Sequence, residues 1–378
     1  MMPFQRKGTV IGSSCRPQPK LLNHRSDEEV PPGVRPSPLD GRPTVSTGTV
    51  SLDRFFGGHS GLPLGTSVLV EETGATDFAG VLARYYAAEG LVQGHHVHVL
   101  GQGDGWKADL PGLSKSGGPP PSQQSKGADE MKIAWRYERL NNGTTGERDR
   151  QMANVASPEP LHSFDLTKRL DHKSIQGTLV PYPLPPLPPS RLHGHSNAMR
   201  SQDSALQDFL RMLAETLEAS PRGIIHRVVA PNFMSPALYS PVYSLPDHVL
   251  RFFHGLRALL RRYSERVSAV ITLPISLYPR LSGLTRWLEM LSDAVLELQV
   301  LSMAPLHGNA QGLLNIHALP IYQERGGGPQ TIGSHANLAF KLSGPGGLLI
   351  EQFSLPPIDG EDDTERGRGG NQAEKVEF

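Results

Sequence analysis

STGTVSLDRFFGGHSGLPLGTSVLVEE, residues 46–72, has the layout of an entrance to a nucleotide-binding α/β domain. Gly57, Gly58 and Gly61 permit a tight loop with positive φ, Pro63 and Gly65 set a turn, and the run Thr66 to Val70 suits a buried parallel strand. A phosphate-binding loop would follow as G-x-x-x-x-G-K-[ST]; its backbone N–H groups cradle phosphates, its Lys neutralises them and its hydroxyl holds Mg²⁺. The window present is Glu71-Glu72-Thr73-Gly74-Ala75-Thr76-Asp77, with one glycine, no lysine and three carboxylates. An incoming anion is expected to be repelled there.

Working outward, the 378 residues allow one large domain or two small ones, and 37 basic against 37 acidic side chains leave no net charge to drive bulk attraction to nucleic acid. Gly 40 and Pro 34 are high for a globular chain, so one folded domain with long disordered insertions and tails is expected. A single cysteine, Cys15, excludes an internal disulfide and a multi-cysteine zinc site, and reads as a free thiol in a tail. The N-terminus lacks the apolar core of a signal peptide and no apolar run is long enough to span a bilayer, so a soluble intracellular protein without membrane contact is expected.

Residues 1–43 carry hardly any hydrophobic periodicity and read as a disordered arm, with order beginning near Thr44. Past the first strand, Asp77 suits an N-cap, and Phe78, Val81, Leu82, Tyr85 and Tyr86 fall at helical spacing before Gly90, which reads as the stop. His95 to Leu100 completes a strand-helix-strand unit with the right-handed crossover of parallel sheets. His96 and His98 share a strand face, but no third ligand stands at a recognisable spacing, so a metal is not expected. Residues 101–130 are rich in turn and breaker residues and read as a disordered insertion. Met131 to Tyr137 reads as a strand in which Trp135 faces the core and Arg136 the other side.

Phe164 to Arg169 starts another ordered piece, and the proline-rich stretch from Pro181, within an expected insertion near 181–200, resembles an SH3-type ligand weakly. Ser204 to Ala219 is amphipathic through Leu206, Phe209, Leu210, Leu213 and Leu217, and Gly223 to Val229 follows as a buried strand. Pro246 to Glu265 is a second helix, with Val249, Leu250, Phe253, Leu256, Leu260 and Tyr263 inward and Arg251, Arg257, Arg261 and Arg262 on another face. The apolar strand Val267 to Leu273 ends in Thr272, Leu273 and Pro274, where an ATPase of this architecture would place the acid that orders Mg²⁺. After a helix around Leu281 to Leu291 come strands at Ala294 to Leu301, Gly312 to Leu319, Leu338 to Leu342 and Gly347 to Phe353, read together as an antiparallel meander. Residues 358–378 read as a disordered tail, leaving a single domain over 44–357.

The order of elements looks like the RecA/KaiC ATPase core: α/β, a central, mostly parallel sheet flanked by helices, with an antiparallel C-terminal meander. More narrowly, SLDRFFGGHSGLPLGTSVLVEE, AAEGLVQGHHVHVL, KIAWRY, FDLTKRL, RRYSERVSAVITLP, LSDAVLELQVL, QGLLNIHALP and NLAFKLSGPGGLLIEQFSLPP, spread from Ser51 to Pro357, together resemble the Paxneb family, the fourth subunits of the Elongator complex. That resemblance implies a RecA-like subunit without Walker motifs, found in cytoplasm and nucleus, that joins the fifth and sixth Elongator subunits in a hetero-hexameric ring. The ring binds tRNA, hydrolyses ATP at subunit interfaces, and assists the catalytic Elongator subcomplex in adding a carboxymethyl-type group to the wobble uridine.

With no lysine in the first loop and no acid after Val267 to Leu273, the chain is not expected to be an enzyme or to hold a cofactor alone; ATP at ring interfaces is expected. Candidates for a nucleotide or subunit interface are Gly58, Gly61, Gly65, Arg136 and Arg257, with Arg227 a further arginine to reach a neighbour's phosphate. Candidates to face tRNA are Arg222, His226 and Arg227. Two other readings are a stand-alone RecA-like ATPase with a degenerate phosphate loop and a regulator acting through its proline-rich segments.

Overall fold

The computed structural model describes residues 30–56, 58–114, 162–185, 197–301, 310–320 and 338–352, with 197–204 described by backbone alone. Ahead of the opening stretch, Val34–Pro36 (β1) pairs antiparallel with Pro43–Val45 (β2), whose other edge takes Leu62–Pro63 (β3). Order therefore starts inside the segment read from sequence as an arm, because Val45 and Thr44 are buried and need a ladder for their backbone groups. A short helix, Val50–Asp53 (α1), lies between these strands.

The turn at Gly65 delivers Ser67–Glu72 (β4), buried along its whole length, and then Phe78–Val92 (α2) and His96–Leu100 (β5). Gly90 does not end α2 but lies buried inside it: a Cβ there would stand 2.5 Å from Cδ of Arg227, so the glycine makes room for an arginine rather than a helix stop. Residues 101–114, read as insertion, fold: a 3-10 turn at Asp104–Asp109 buries Trp106, and Pro111–Leu113 (β6) pairs with Phe164–Arg169 (β7). The Met131 to Tyr137 strand with Arg136, and the remaining insertion residues 115–161 and 186–196, lie outside the described residues.

Thr178–Tyr182 (β8) brings the start of the proline-rich stretch into the sheet as an edge strand, the one place where Pro181 removes no needed ladder donor. Asn197–Ala219 (α3), His226–Ala230 (β9), Pro246–Arg262 (α4), Val267–Pro274 (β10), Gly283–Leu291 (α5), Ala294–Val300 (β11), Gly312–Ala318 (β12), Leu338–Ser343 (β13) and Gly347–Gln352 (β14) follow close to the sequence reading. Residues 353–378 lie outside the described residues.

These strands build a nine-stranded sheet in the order β14-β13-β12-β11-β4-β10-β9-β5-β8. From β11 to β8 every pair is parallel, and β12, β13 and β14 are antiparallel additions. One detail of the meander changes: β11 pairs parallel with β4, so the antiparallel part begins at β12. The pleat of β4 divides the interior, with Val68 and Val70 facing the core under α2 and Leu69 facing the core closed by α3, α4 and α5. Each fully buried Val or Leu contributes about 1.5–3 kcal/mol. On α4 the fully buried face carries Phe252 beside Val249, Phe253, Leu256 and Leu260, while Leu250 and Tyr263 are half-buried at its margin.

Candidate functional site

The parallel strands end together where an open α/β sheet presents its ligand crevice, and β4 leads from there through Thr73 to Asp77 into α2. The free N–H groups and partial positive charge at the start of such a helix make an anion seat. Here the chain fills that seat itself. The pleat turns Glu72 toward α2, where its Oε1 accepts from Phe78 N at 2.9 Å and Thr76 Oγ1 at 2.6 Å, and its Oε2 accepts from Ala79 N at 3.0 Å. The side chain is 4% exposed. Asp77 sits at the N-cap position without capping the helix, and its carboxylate pairs with Arg84 at 2.8 Å instead.

The connecting loop is fastened at both sides: Gly74 N donates to Ser276 Oγ at 2.8 Å, and Thr73 Oγ1 donates to Leu298 O at 3.2 Å. On the side of β4 away from the meander, neither β10 nor β9 beyond it supplies a metal-ordering acid at its end, β10 finishing in Thr272-Leu273-Pro274 and β9 running into Ala230-Pro231-Asn232. Thr272 Oγ1 is engaged by Asn232 N at 2.6 Å. The residues at this sheet end do not fit a Mg–nucleotide: the helix donors are taken by a carboxylate, the loop has no lysine, and Arg84 is neutralised locally. The sequence expectation of repulsion is thus refined, since of the three carboxylates Glu72 occupies the seat, Asp77 faces Arg84, and Glu71 points through to the opposite face of the sheet.

On that opposite face lies a charged cluster that sequence reading missed. Glu71, fully buried, stands 3.0 Å from Arg280 Nε, which also meets Glu289 Oε1 at 2.8 Å. Arg280 Nη1 lies 3.6 Å from Glu297 Oε2, and His317 Nε2 lies 2.7 Å from the same oxygen. One guanidinium faces three carboxyl groups. Burial first, and then the Glu289 carboxylate, push the Glu71 carboxyl up to about 8 despite Arg280, so it carries a proton at neutral pH. Its extra stability is present below the ordinary glutamate value and fades as pH rises through about 8. The β4–β11 register sets Glu71 beside Glu297, and Arg280, Glu289 and His317 join them from the β10–α5 connection, α5 and β12, so the cluster has no local sequence signal. Among the described residues no group of three or more His, Cys, Asp or Glu is arranged to hold a metal ion, and His98 meets His226 by a 3.0 Å hydrogen bond instead.

Ser37, His59 and Asp40 also meet, but Ser37 Oγ at 2.8 Å and Asp40 Oδ1 at 3.7 Å both approach Nδ1 of His59. A nucleophile-base relay needs its two partners on different ring nitrogens, so this trio ties β1 to the glycine loop.

Gly61 and Gly65 are buried turn glycines: at φ +147° and +77°, a Cβ would come 2.8 Å from Val45 O and from Ser264 Cα respectively. Gly58, at φ +92°, is exposed with open space around it. Arg257 donates to Leu291 O at 2.8 Å, capping the C-terminus of α5 from a half-buried position. His226 and Arg227 are both 0% exposed, so neither faces a tRNA in this fold. Arg222 is exposed, and Arg136 lies outside the described residues.

The family model described as "PAXNEB protein" matches residues 27–378. The chain is 33% identical over 355 residues to Elongator complex protein 4 of Schizosaccharomyces pombe, covering 88% of this chain and 90% of that protein. It is 28% identical to the Saccharomyces cerevisiae protein of the same name, covering 87% and 77%, and 26% identical to the Homo sapiens one, covering 94% and 85%. Among solved structures it is similar to a KaiC-like protein from Pyrococcus horikoshii at 15% identity and a TM-score of 0.40, covering 82% of this chain and 98% of that one.

Proposed function

The chain belongs to the PAXNEB family, and from that premise we propose that it is a non-catalytic RecA-like subunit of the Elongator accessory ring. In this reading it assembles with the fifth and sixth Elongator subunits into a hetero-hexamer of two copies each. The ring binds tRNA and serves the catalytic Elongator subcomplex in carboxymethyl-type modification of the wobble uridine, in cytoplasm and nucleus. ATP is bound and turned over at ring interfaces with the chemistry supplied by neighbouring subunits.

The observation that carries the non-catalytic part is the Glu72 carboxylate on the α2 N–H groups, an internal anion where a nucleotide phosphate would sit. The same contact speaks against a stand-alone ATPase, which needs those donors free. Of the three side chains nominated for tRNA, Arg222 is exposed, and in this reading a neutral chain supplies such contacts jointly with its neighbours.

Co-expression with the fifth and sixth subunits tests the assignment. Size-exclusion chromatography with light scattering is expected to give one assembly with two copies of each chain, and that assembly is expected to bind tRNA with an affinity that falls steeply with salt. Elution of this chain as a monomer apart from the other two would refute the reading.

A further inference from the structure

Arg261-Arg262-Tyr263-Ser264 leads from the end of α4 toward β10 and is the one place in the sequence where two arginines stand side by side. Arginines three and two residues ahead of a serine make the charge pattern that an arginine-directed protein kinase reads with carboxylates in its substrate groove. Such a pattern matters only where the fold presents it. α4 ends at Arg262, Tyr263 has already left helical backbone at φ −114° and ψ 45°, and Ser264 and Glu265 are exposed in the turn before Val267 starts β10. Among the described residues the Ser264 hydroxyl makes no side-chain hydrogen bond, so nothing has to be broken to free it.

The two arginines differ in what they hold. Arg262 is 67% exposed and meets Glu218 Oε1 at 3.0 Å, a surface contact that a kinase groove readily replaces. Arg261 meets Asp293 Oδ1 at 2.6 Å, and that aspartate side chain is 2% exposed. The other oxygen of Asp293 accepts from Ser67 N at 2.9 Å, at the first residue of β4. Arg261 Nη1 also reaches Gly65 O at 3.4 Å, and Ser264 lies against the same glycine, since a Cβ built on Gly65 would stand 2.9 Å from Ser264 Cβ. The serine and the Arg261 guanidinium thus flank one turn at the entrance to β4.

We propose that Ser264 is the acceptor of a protein kinase that reads arginines ahead of the serine, and that its phosphate competes with Asp293 for Arg261. The last turn of α4 opens to lay Arg262 in the kinase groove, a local event of the kind that helix ends undergo at low cost. In the transfer, Ser264 Oγ bonds to the γ-phosphorus of the kinase's Mg–ATP as the bond from that phosphorus to the β–γ bridging oxygen breaks. ADP leaves, and the hydroxyl proton passes to the kinase's catalytic carboxylate. The product carries about two negative charges just beyond the C-terminus of α4, next to Glu265, where the helix end is itself partly negative. Arg261 is the cation that answers them, and what it gives to the phosphate it takes from a buried carboxylate. Phosphorylation therefore loosens the start of β4.

The test treats the full folded chain with Mg–ATP and the catalytic subunit of cyclic-AMP-dependent protein kinase, and maps phosphate at Ser264 by mass spectrometry of peptides. Ser264 is expected to be phosphorylated, with Arg262→Gln lowering the rate at least tenfold and a kinase that reads downstream acids leaving Ser264 unmodified. The phosphorylated chain is expected to melt several degrees lower, with at least tenfold faster exchange of the Ser67 and Asp293 amides, which bond across the β4 entrance. Ser264→Ala, treated in the same way, is expected to melt as the untreated wild type does. Absence of phosphate from Ser264, its confinement to other serines, or an unchanged rate in Arg262→Gln overturns the site. A phosphorylated Ser264 with unchanged melting and exchange overturns the competition for Arg261. Neither result bears on the functional reading above.

Discussion

Replacing Arg227 by Met is expected to destabilise the protein by about 3–5 kcal/mol, lowering the melting temperature by roughly 10 °C. Arg227 sits on β9 and is fully buried facing α2, where its Nε donates to His95 Nδ1 at 2.9 Å and its Nη1 to Ser46 O at 2.7 Å and Tyr86 O at 3.0 Å. Its guanidinium also lies 4.6 Å from the centre of the Tyr86 ring. Met fills the volume but leaves two carbonyls and an imidazole without their donor inside the core, and such groups cost about 1–3 kcal/mol each. Lys keeps the charge and loses the planar fork that reaches three acceptors at once, so Arg227→Lys is expected to recover only part of the loss. Urea unfolding of the three proteins measures this; stability within 1 kcal/mol of wild type for the Met variant would show that Arg227 does not hold the opening stretch to the sheet.

The second large effect is acid lability. Burial lowers His95 to about 3, with the Arg227 charge adding to it; burial lowers His98 to about 4; and burial with neighbouring His98 lowers His226 to about 3. They form neutral relays, with His98 Nε2 3.0 Å from His226 Nδ1, and His226 Nε2 2.8 Å from Ser220 Oγ, which in turn accepts from Arg266. A second proton on His95 would place a cation beside Arg227, and one on His226 a cation beside Arg266. Folded values below the unfolded value of 6.5 mean that the unfolded chain binds more protons, so this stability is complete above about pH 6.5 and drains away below it, toward pH 3–4. Each histidine contributes about 1.4 kcal/mol per pH unit, and three draw on a total stability of about 5–15 kcal/mol. The urea midpoint is expected to change little between pH 7.5 and 6.5, where the Glu71 proton offsets the first histidine losses, and to fall clearly from pH 6.5 to 5.5, with His98→Gln flattening that fall by about one proton. Equal midpoints at pH 6.5 and 5.5 would contradict it.

Much of this fold is legible in the sequence because its signals are local. The apolar run after Gly65, the 3.6-residue spacing of Phe78 to Tyr86 and the long stripe of α4 each point to the element found there. The missing lysine is equally plain. What escapes is whatever depends on which face a pleat turns to. Glu71 and Glu72 are adjacent letters, yet one seals a helix end and the other is buried under Arg280 on the far side of the sheet. Arg227 and His226 look like surface charges when read by residue type. Their setting in an apolar run between two parallel strands is the clue that they are interior, and Gly90 is its counterpart on α2. Likewise β1 reads as a polar arm because three residues are too few to show a period, and only the ladder to β2 gives it a place.

The sealed phosphate seat is tested most directly by titrating Mg–ATP into the isolated full chain by calorimetry, with hydrogen exchange followed at residues 73–79. The expected result is no saturable heat up to millimolar nucleotide and unchanged protection of the Phe78 and Ala79 amides, which Glu72 already holds. Saturable micromolar binding, with new protection at those two amides, would mean that Glu72 yields its place and that the chain carries a nucleotide site of its own.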